Sequence, residues 1–336
     1  MNLSQRIEAF TRLGDAIRSL SDDEIDSLSL RAQGKNNWFT FNNIRQALLG
    51  CVYMLDKEKL TQWTSTYTLD PSQPKKIGVV MAGNIPLVGF HDFLSVLISG
   101  HHLYSKLSSQ DPYLLPYLAD KLIAIEPTFR DRIHYPELLK EVDAVIATGS
   151  DNTSRYFEYY FSKVPNIIRK NRSSIIVLTG EETDDELRKM GKDIFSYFGL
   201  GCRNISKVFV PEGYKFNRLY ENLEGYEEVR NHHKYVNNYD YNKSIFLVNI
   251  VPHFDNGFLL IRESKEMVSP ISVLFYEEYK DLNSLNNSLD ANADKIQCIV
   301  SSEETLKDSI APGKAQEPEL WDYADGVDTL AFLSKL

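Results

Sequence analysis

The sequence predicts an α/β fold, on three observations. From about residue 75 onward, short apolar runs of strand character alternate with stretches of helical periodicity, the pattern of a mainly parallel sheet with helices on its faces. Three polar turns, "AGNIP", "KLSSQDP" and "ATGSDNTSR", follow such runs at the strand carboxyl ends, where these sheets bind ligands. The chain of 336 residues, 43% hydrophobic and 25% charged, has the composition of an ordinary globular protein of one or two domains.

Residues 1 to about 65 read as helices, because Ile7, Phe10, Leu13, Ile17 and Leu20 recur at helical spacing. "SDDEID" at 21 offers a serine cap with acids in the first turn of a second helix. "DPSQPKK" is a loop by its prolines, and "IGVVMAG" is short and apolar enough for a buried strand. A helix is predicted over Pro86–Gly100, then "HLYSKLS" as strand and "LLPYLADKLIAI" as helix. "VDAVIATGS" is a strand, "NTSRYFEYYFSKV" a helix, "SSIIVLTG" a strand and "DDELRKMGKDIFSYFG" a helix. In "GLGCRNISKVFVP", Gly199 and Gly201 permit a tight turn that delivers Cys202 to a surface before a strand. Beyond residue 211, "NKSIFLVNIVP", "GFLLIRES", "ISVLFYEEY" and "KIQCIVSSE" read as strands, several separated by acidic helical segments. The domain boundary is expected at 192/193.

Several function classes are excluded on composition. A net charge of −10 without basic runs argues against nucleic acid as a partner, since phosphate binding needs clustered Lys and Arg. Cys51, Cys202 and Cys298 are widely spaced and odd in number, so no disulfide framework or zinc knuckle is expected, and a reducing cytoplasm is. The N-terminal stretch lacks an apolar signal core, and Ile77–Phe90, interrupted by Asn84 and Pro86, is too short to span a bilayer. GxGxxG, Walker and GxSxG patterns are absent. The adjacent pairs His101-His102 and His232-His233 do not have metal-ligand spacing, so no metal is expected. Taken alone, Cys202 is a small core filler or a nucleophile.

Five segments, in order, resemble the aldehyde dehydrogenase superfamily and within it the LuxC-type acyl-CoA reductases. "GVVMAGNIPL" is similar to a strand and turn ending in an asparagine followed two residues later by proline. "SGHHLYSKLSSQDP" is similar to a strand whose lysine has a serine two positions on, and "DAVIATGS" to a strand ending in Thr-Gly-Ser. "FGLGCRNISKVFV" resembles the nucleophile segment and "SKEMVSPIS" the segment that touches the cofactor ribose. The ending "GKAQEPELWDYADGVDTLAFL" is also LuxC-like.

The resemblance implies an aldehyde-dehydrogenase-like α/β fold. Residues 1–192 would hold N-terminal helices and a Rossmann-like nicotinamide-cofactor domain, and residues 193–336 a second α/β catalytic domain with a C-terminal tail. It implies NAD(P)H-dependent reduction of an acyl-CoA to the aldehyde, with Cys202 forming the acyl-enzyme. Asn84 would meet the oxyanion together with the Cys202 N–H, its alternative being a plain turn asparagine. Lys106 and the following Ser108 and Ser109 would face the cofactor, Gly149 and Ser150 its pyrophosphate, and Glu266 the nicotinamide ribose. Lys106 and Glu266 as solvated surface charges, and Gly149-Ser150 as a plain turn, are the competing readings. Serine at 109, where NAD-preferring members carry a glutamate, implies NADP(H) in preference to NAD(H). Val177 at the place of the water-activating glutamate implies that the acyl-enzyme survives for reduction; Glu181 and Glu182 are the possible substitutes. Cys51 and Cys298 read as buried fillers, and a homo-oligomer is implied. The alternatives are an ordinary aldehyde dehydrogenase running oxidatively and a cofactor-binding scaffold without turnover.

Overall fold

The structure, a computed structural model, describes residues 1–149, 151–303, 306 and 308–336. It divides into two compact units, Met1–Asn171 with Pro318–Leu336, and Arg172–Glu317. The expected boundary at 192/193 differs, and strand pairing explains why. The strand over Ser173–Val177 is hydrogen-bonded inside the second unit's sheet and draws the following helix with it. The C-terminal stretch joins the first unit through Lys59–Glu319 (2.7 Å) and Tyr67–Asp328 (2.7 Å).

In the first unit, four helices precede the sheet: α1 (Leu3–Arg18), α2 (Asp22–Gln33), α3 (Phe41–Met54) and α4 (Lys57–Thr64). The Ser21 cap and its acids behave as expected, since Ser21 and Glu24 form a capping box that satisfies two otherwise orphaned amides. Then follow β1 (Lys76–Val80), α5 (Phe90–Ile98), β2 (His102–Lys106), α6 (Leu114–Ile125), β3 (Ile133–His134), β4 (Ala144–Thr148), α7 (Asp151–Phe161) and β5 (Asn166–Arg169). The sheet order is β3-β2-β1-β4-β5, all parallel. The chain winds outward from β1 to β3 and then returns to β4, so the β1/β4 junction is the topological switch point. Phe10, buried, packs edge-on against Phe93 and Phe129 beneath this sheet's helices. α5 starts at Phe90 rather than Pro86, because residues 85–89 form a turn in which Leu87 is left-handed (φ 56°).

The second unit contains β6 (Ser173–Val177), α8 (Asp184–Phe195), β7 (Ile205–Pro211), α9 (Asn217–Leu223), α10 (His233–Val248), β8 (Phe254–Asp255), β9 (Leu260–Glu263), β10 (Val273–Tyr279), α11 (Leu282–Asp290), β11 (Ile296–Val300) and β12 (Ser309–Ile310). Its order is β12-β11-β6-β7-β10-β9-β8, parallel except for the antiparallel β8–β9 pair. Apolar clusters form around Ile175, Val177, Phe209 and Leu289, and around Tyr239, Phe246, Leu260 and Phe275. The stretch "NKSIFLV", predicted as strand, is the end of α10, where buried Tyr235, Tyr239, Asn242 and Phe246 follow a helical face. Tertiary burial overrides the local strand propensity. Among the described residues, no helix is long and apolar enough to cross a membrane.

Candidate active site

In the first unit, β2, β1 and β4 end level with one another. Val80 lies opposite Lys106 on one side and Ala147 on the other, and the Met81 amide extends the ladder to the Lys106 carbonyl (3.1 Å). The two loops beyond then touch. A Cβ built on Gly83 would lie 2.4 Å from Ser108 Oγ and 2.7 Å from Ser108 Cβ, so only glycine fits. Asn36, buried, donates to the Gly83 carbonyl at 3.0 Å, and the next residue, Asn84, is exposed.

Buried Asp111 holds the second loop to the first. Its carboxylate accepts the Leu87 amide at 3.0 Å and the Leu114 amide at 3.3 Å, and burial raises its pKa above the ordinary carboxylate value. Lys106 and Ser109 are exposed, and Ser108 is half-buried with its hydroxyl accepting the Gln110 amide at 3.2 Å. Gly149 follows β4. Its amide bonds to the Arg169 carbonyl at 3.3 Å, and a Cβ there would meet Phe157 and Thr153 of α7 at 2.9 and 3.0 Å. Ser150 lies outside the described residues.

The structure therefore brings Asn84, Lys106, Ser108, Ser109 and Gly149 to the carboxyl end of one sheet. The protein's own packing accounts for both glycines. The exposed lysine and serine beside the switch point, where the amino end of α7 also begins, fit a dinucleotide with its anionic phosphates.

In the second unit, Cys202 is exposed in the turn that leads into β7. The approach is unusual: Tyr197, Phe198 and Gly199 have φ of 50°, 57° and 80°, a left-handed run that costs energy at the two aromatics. Asn204 is buried and ties the turn together. It accepts the Gly201 amide (2.8 Å) and donates to the carbonyls of Ser196 (2.7 Å) and Asp193 (3.2 Å). From β6, the Ser174 hydroxyl donates to the Cys202 carbonyl at 3.0 Å and stands 3.0 Å from Cys298 Sγ. Cys298 is half-buried beside the Cys202 turn rather than a remote filler, and burial, moderated by Arg203, pushes its thiol up. Cys51 is fully buried, and burial alone pushes its thiol up.

Two basic residues lie near Cys202 in sequence. Arg203 donates to the Ala315 carbonyl (3.3 Å), and buried Lys207 pairs with Glu277 of β10 (2.5 Å). Asp193 receives the amides of Gly313 (2.6 Å) and Ala315 (2.9 Å), and burial raises its carboxyl to about 6. His232 lies 4.4 Å from the Phe198 ring at a tilt of 36° and stacks 5.3 Å from His233. Glu266 is exposed on the β9–β10 loop, which Ser206 of β7 pins through the Met267 carbonyl (2.7 Å).

Val177 does not lie beside Cys202. It is buried three residues along β6 from Ser174, roughly 10 Å at the usual rise per residue. Glu181 and Glu182 lie beyond it, past the strand end opposite Cys202. Glu182 is buried and folded onto its own turn, accepting the amides of Thr179 (2.5 Å) and Gly180 (3.1 Å). Neither glutamate is positioned to activate water at Cys202. Asn204, Ser174 and Asp111 are site-building residues that sequence reading missed. An asparagine three residues after Gly201 carried a turn signal, and the other two act across distances no local pattern reveals.

A family model described as acyl-CoA reductase (LuxC) matches residues 37–224, more than half of the chain. The match spans Asn84, Lys106, Ser108, Ser109, Gly149 and Cys202, and Glu266 lies outside it. Among solved structures, an acetylating aldehyde dehydrogenase from Geobacillus thermoglucosidasius is similar, with a TM-score of 0.62 at 10% identity over 96% of this chain and 84% of that one. The NAD+ complex of an aldehyde dehydrogenase from Bacillus cereus gives 0.59 at 14% identity, covering 91% and 73%. Aldehyde dehydrogenase 21 from Physcomitrella patens, bound to its reaction product succinate, gives 0.58 at 12%, covering 89% and 77%. At these identities the likeness is one of fold. No curated protein matches the chain.

Proposed function

The chain belongs to the LuxC acyl-CoA reductase family, and from that premise we propose that it reduces an acyl-CoA thioester to the aldehyde with NADPH, through an acyl-enzyme on Cys202. The family and the aldehyde dehydrogenase fold make it an oxidoreductase of aldehyde chemistry. The observation that carries the finer reading is the exposed Cys202 on a turn braced by Asn204 and Ser174, within the matched region.

In this reading the Cys202 thiolate attacks the thioester carbonyl carbon, forming a carbon–sulfur bond and an oxyanion. The Asn84 side-chain amide and the Cys202 N–H donate to that oxyanion, and loss of one such donor costs about 100- to 1000-fold in rate. Collapse expels the coenzyme A thiolate and leaves the acyl group on Cys202. A nicotinamide cofactor, when bound, would supply the hydride that reduces this acyl carbon, the carbon–sulfur bond to Cys202 breaking to release the aldehyde and restore the thiolate. Lys106, Ser108, Ser109 and Gly149 would hold its ribose and phosphates, and Glu266 its nicotinamide ribose. Ser109 offers a hydroxyl instead of a carboxylate, which favours a 2′-phosphate. Glu181 and Glu182 lie past the end of β6 opposite Cys202, and without a base placed there attack by water on the acyl-enzyme is slow.

The same family likeness supports a homo-oligomer, while the odd, widely spaced cysteines support a reducing cytoplasm and the net charge of −10 without basic runs argues against a nucleic acid partner. The test is NADPH oxidation with acetyl-, octanoyl- and palmitoyl-CoA, comparing wild type with Cys202→Ala. Aldehyde formed by wild type and absent from the variant supports the reading. Acid formed from aldehyde with NADP+ favours the oxidative alternative, and no turnover in either direction favours a scaffold.

A further inference from the structure

Sequence reading of the nucleophile turn stops at Cys202, but the hydrogen bonds around that turn converge on two buried side chains. We propose that Asn204 and Ser174 are positioning residues that fix the peptide planes on either side of Cys202; this rests on Cys202 being the residue that is acylated.

Asn204, 2% exposed, satisfies the turn with four bonds. Its side-chain oxygen accepts the Gly201 N–H, its side-chain amide donates to the Ser196 and Asp193 carbonyls, and its own backbone N–H donates to the Gly201 carbonyl at 3.0 Å. Every described peptide bond is trans. A trans peptide points its C=O and N–H in opposite directions. Directing the Gly201 carbonyl at Asn204 therefore aims the Cys202 N–H to the opposite side. That N–H is the donor proposed for the oxyanion, so Asn204 sets its direction without touching the substrate.

Ser174 acts on the following peptide. Its hydroxyl, fully buried, donates to the Cys202 carbonyl, which turns the Arg203 N–H away. Since that proton is committed, the Cys298 thiol is the donor across the 3.0 Å contact to Ser174. A relay of Cys298, Ser174 and the Cys202 carbonyl results. Such bracing suits a turn approached through left-handed Tyr197, Phe198 and Gly199, whose strain would relax without it.

The test is single-turnover acylation: the full chain is mixed with octanoyl-CoA, without reductant, and free coenzyme A is measured after acid quench. Wild type is compared with Asn204→Ala, Ser174→Ala and Ser174→Thr, and with Leu289→Ala, a core variant away from the turn. Misplacement by about 1 Å costs up to about 100-fold in rate. We expect acylation to fall about 10- to 100-fold in both alanine variants, with acyl-CoA affinity within about twofold of wild type and partial rescue by Ser174→Thr. Leu289→Ala is expected to lose thermal stability and keep the wild-type rate. Should Asn204→Ala fail to fold, Ser174→Ala carries the test. Acylation unchanged in the alanine variants, or lost equally in Leu289→Ala, overturns the proposal. A wild type that releases no coenzyme A refutes the function proposed above instead. Iodoacetamide alkylation of Cys202 then decides the positioning claim: an unchanged rate in the alanine variants overturns it, and a tenfold change upholds it.

Discussion

Replacing Gly83 with alanine strikes the point where the β1 and β2 loops touch. The new Cβ would sit 2.4 Å from Ser108 Oγ, 2.7 Å from Ser108 Cβ and 3.2 Å from the Asp111 amide nitrogen. Ordinary carbon contacts lie near 3.5–4.0 Å, so one loop must retreat by about 1 Å. Rotating Ser108 does not relieve this, because its Cβ is fixed to the backbone. Overpacking of this kind costs about 1–3 kcal/mol, which lowers the midpoint of a unit this size by roughly 5 °C in the middle of that range. The retreat also displaces the loop after β2 that carries Ser109 and follows Lys106. Loss of one hydrogen bond to a charged group, about 1.5–3 kcal/mol, weakens NADPH binding by about 10- to 100-fold. Thermal unfolding and fluorescence titration with NADPH measure the two effects. Ser108→Gly supplies a cycle: the double variant Gly83→Ala/Ser108→Gly is expected to regain most of the lost stability. Gly83→Ala with wild-type midpoint and affinity, or a double variant no better than the single, would refute the reasoning.

Two further outcomes follow from the second unit. Burial holds the Asp193 carboxyl at about 6, against 3.8 ordinarily, with Lys192 and Glu317 as its charged neighbours. The folded chain thus keeps a proton that the unfolded one releases, so this group's contribution is full below pH 4 and is lost as pH rises through 6. The stability difference between wild type and Asp193→Asn should shift by up to about 3 kcal/mol between pH 4 and 7, and a flat difference in urea titrations contradicts the assignment. Glu182→Gln should cost about 1–2 kcal/mol through its turn amides while leaving hydrolysis of the acyl-enzyme unchanged, as should Glu181→Gln. A tenfold drop in acid release from either variant would show that these glutamates reach Cys202 after all.

What could be read in advance was local. The Ser21–Glu24 capping box, the loops after β1, β2 and β4, and the glycine-flanked Cys202 turn each declare themselves within a few residues. The strands β3 and β5 escaped because two and four residues carry little periodicity. The end of α10 was misread because Ile245, Phe246 and Val248 favour strands locally, while the buried face that decides the matter begins at Tyr235. Val177 falls away from Cys202 because β6 and β7 run parallel, so the end of β6 that carries Val177 lies at the opposite end of the sheet from the turn that precedes β7. The supports of the site were hidden for a different reason. Ser174 reaches Cys202 across 28 residues, and Asp111 reaches Leu87 across 24, through pairings that exist only once each sheet has formed.

The central claim is covalent, and the most direct measurement is the mass of the chain after incubation with an acyl-CoA in the absence of reductant. The account predicts one added acyl group, mapped by peptide digestion to Cys202 and discharged as aldehyde when NADPH is supplied. An unmodified Cys202 while aldehyde still forms, or an acyl group carried on Cys298 or another residue, would contradict it.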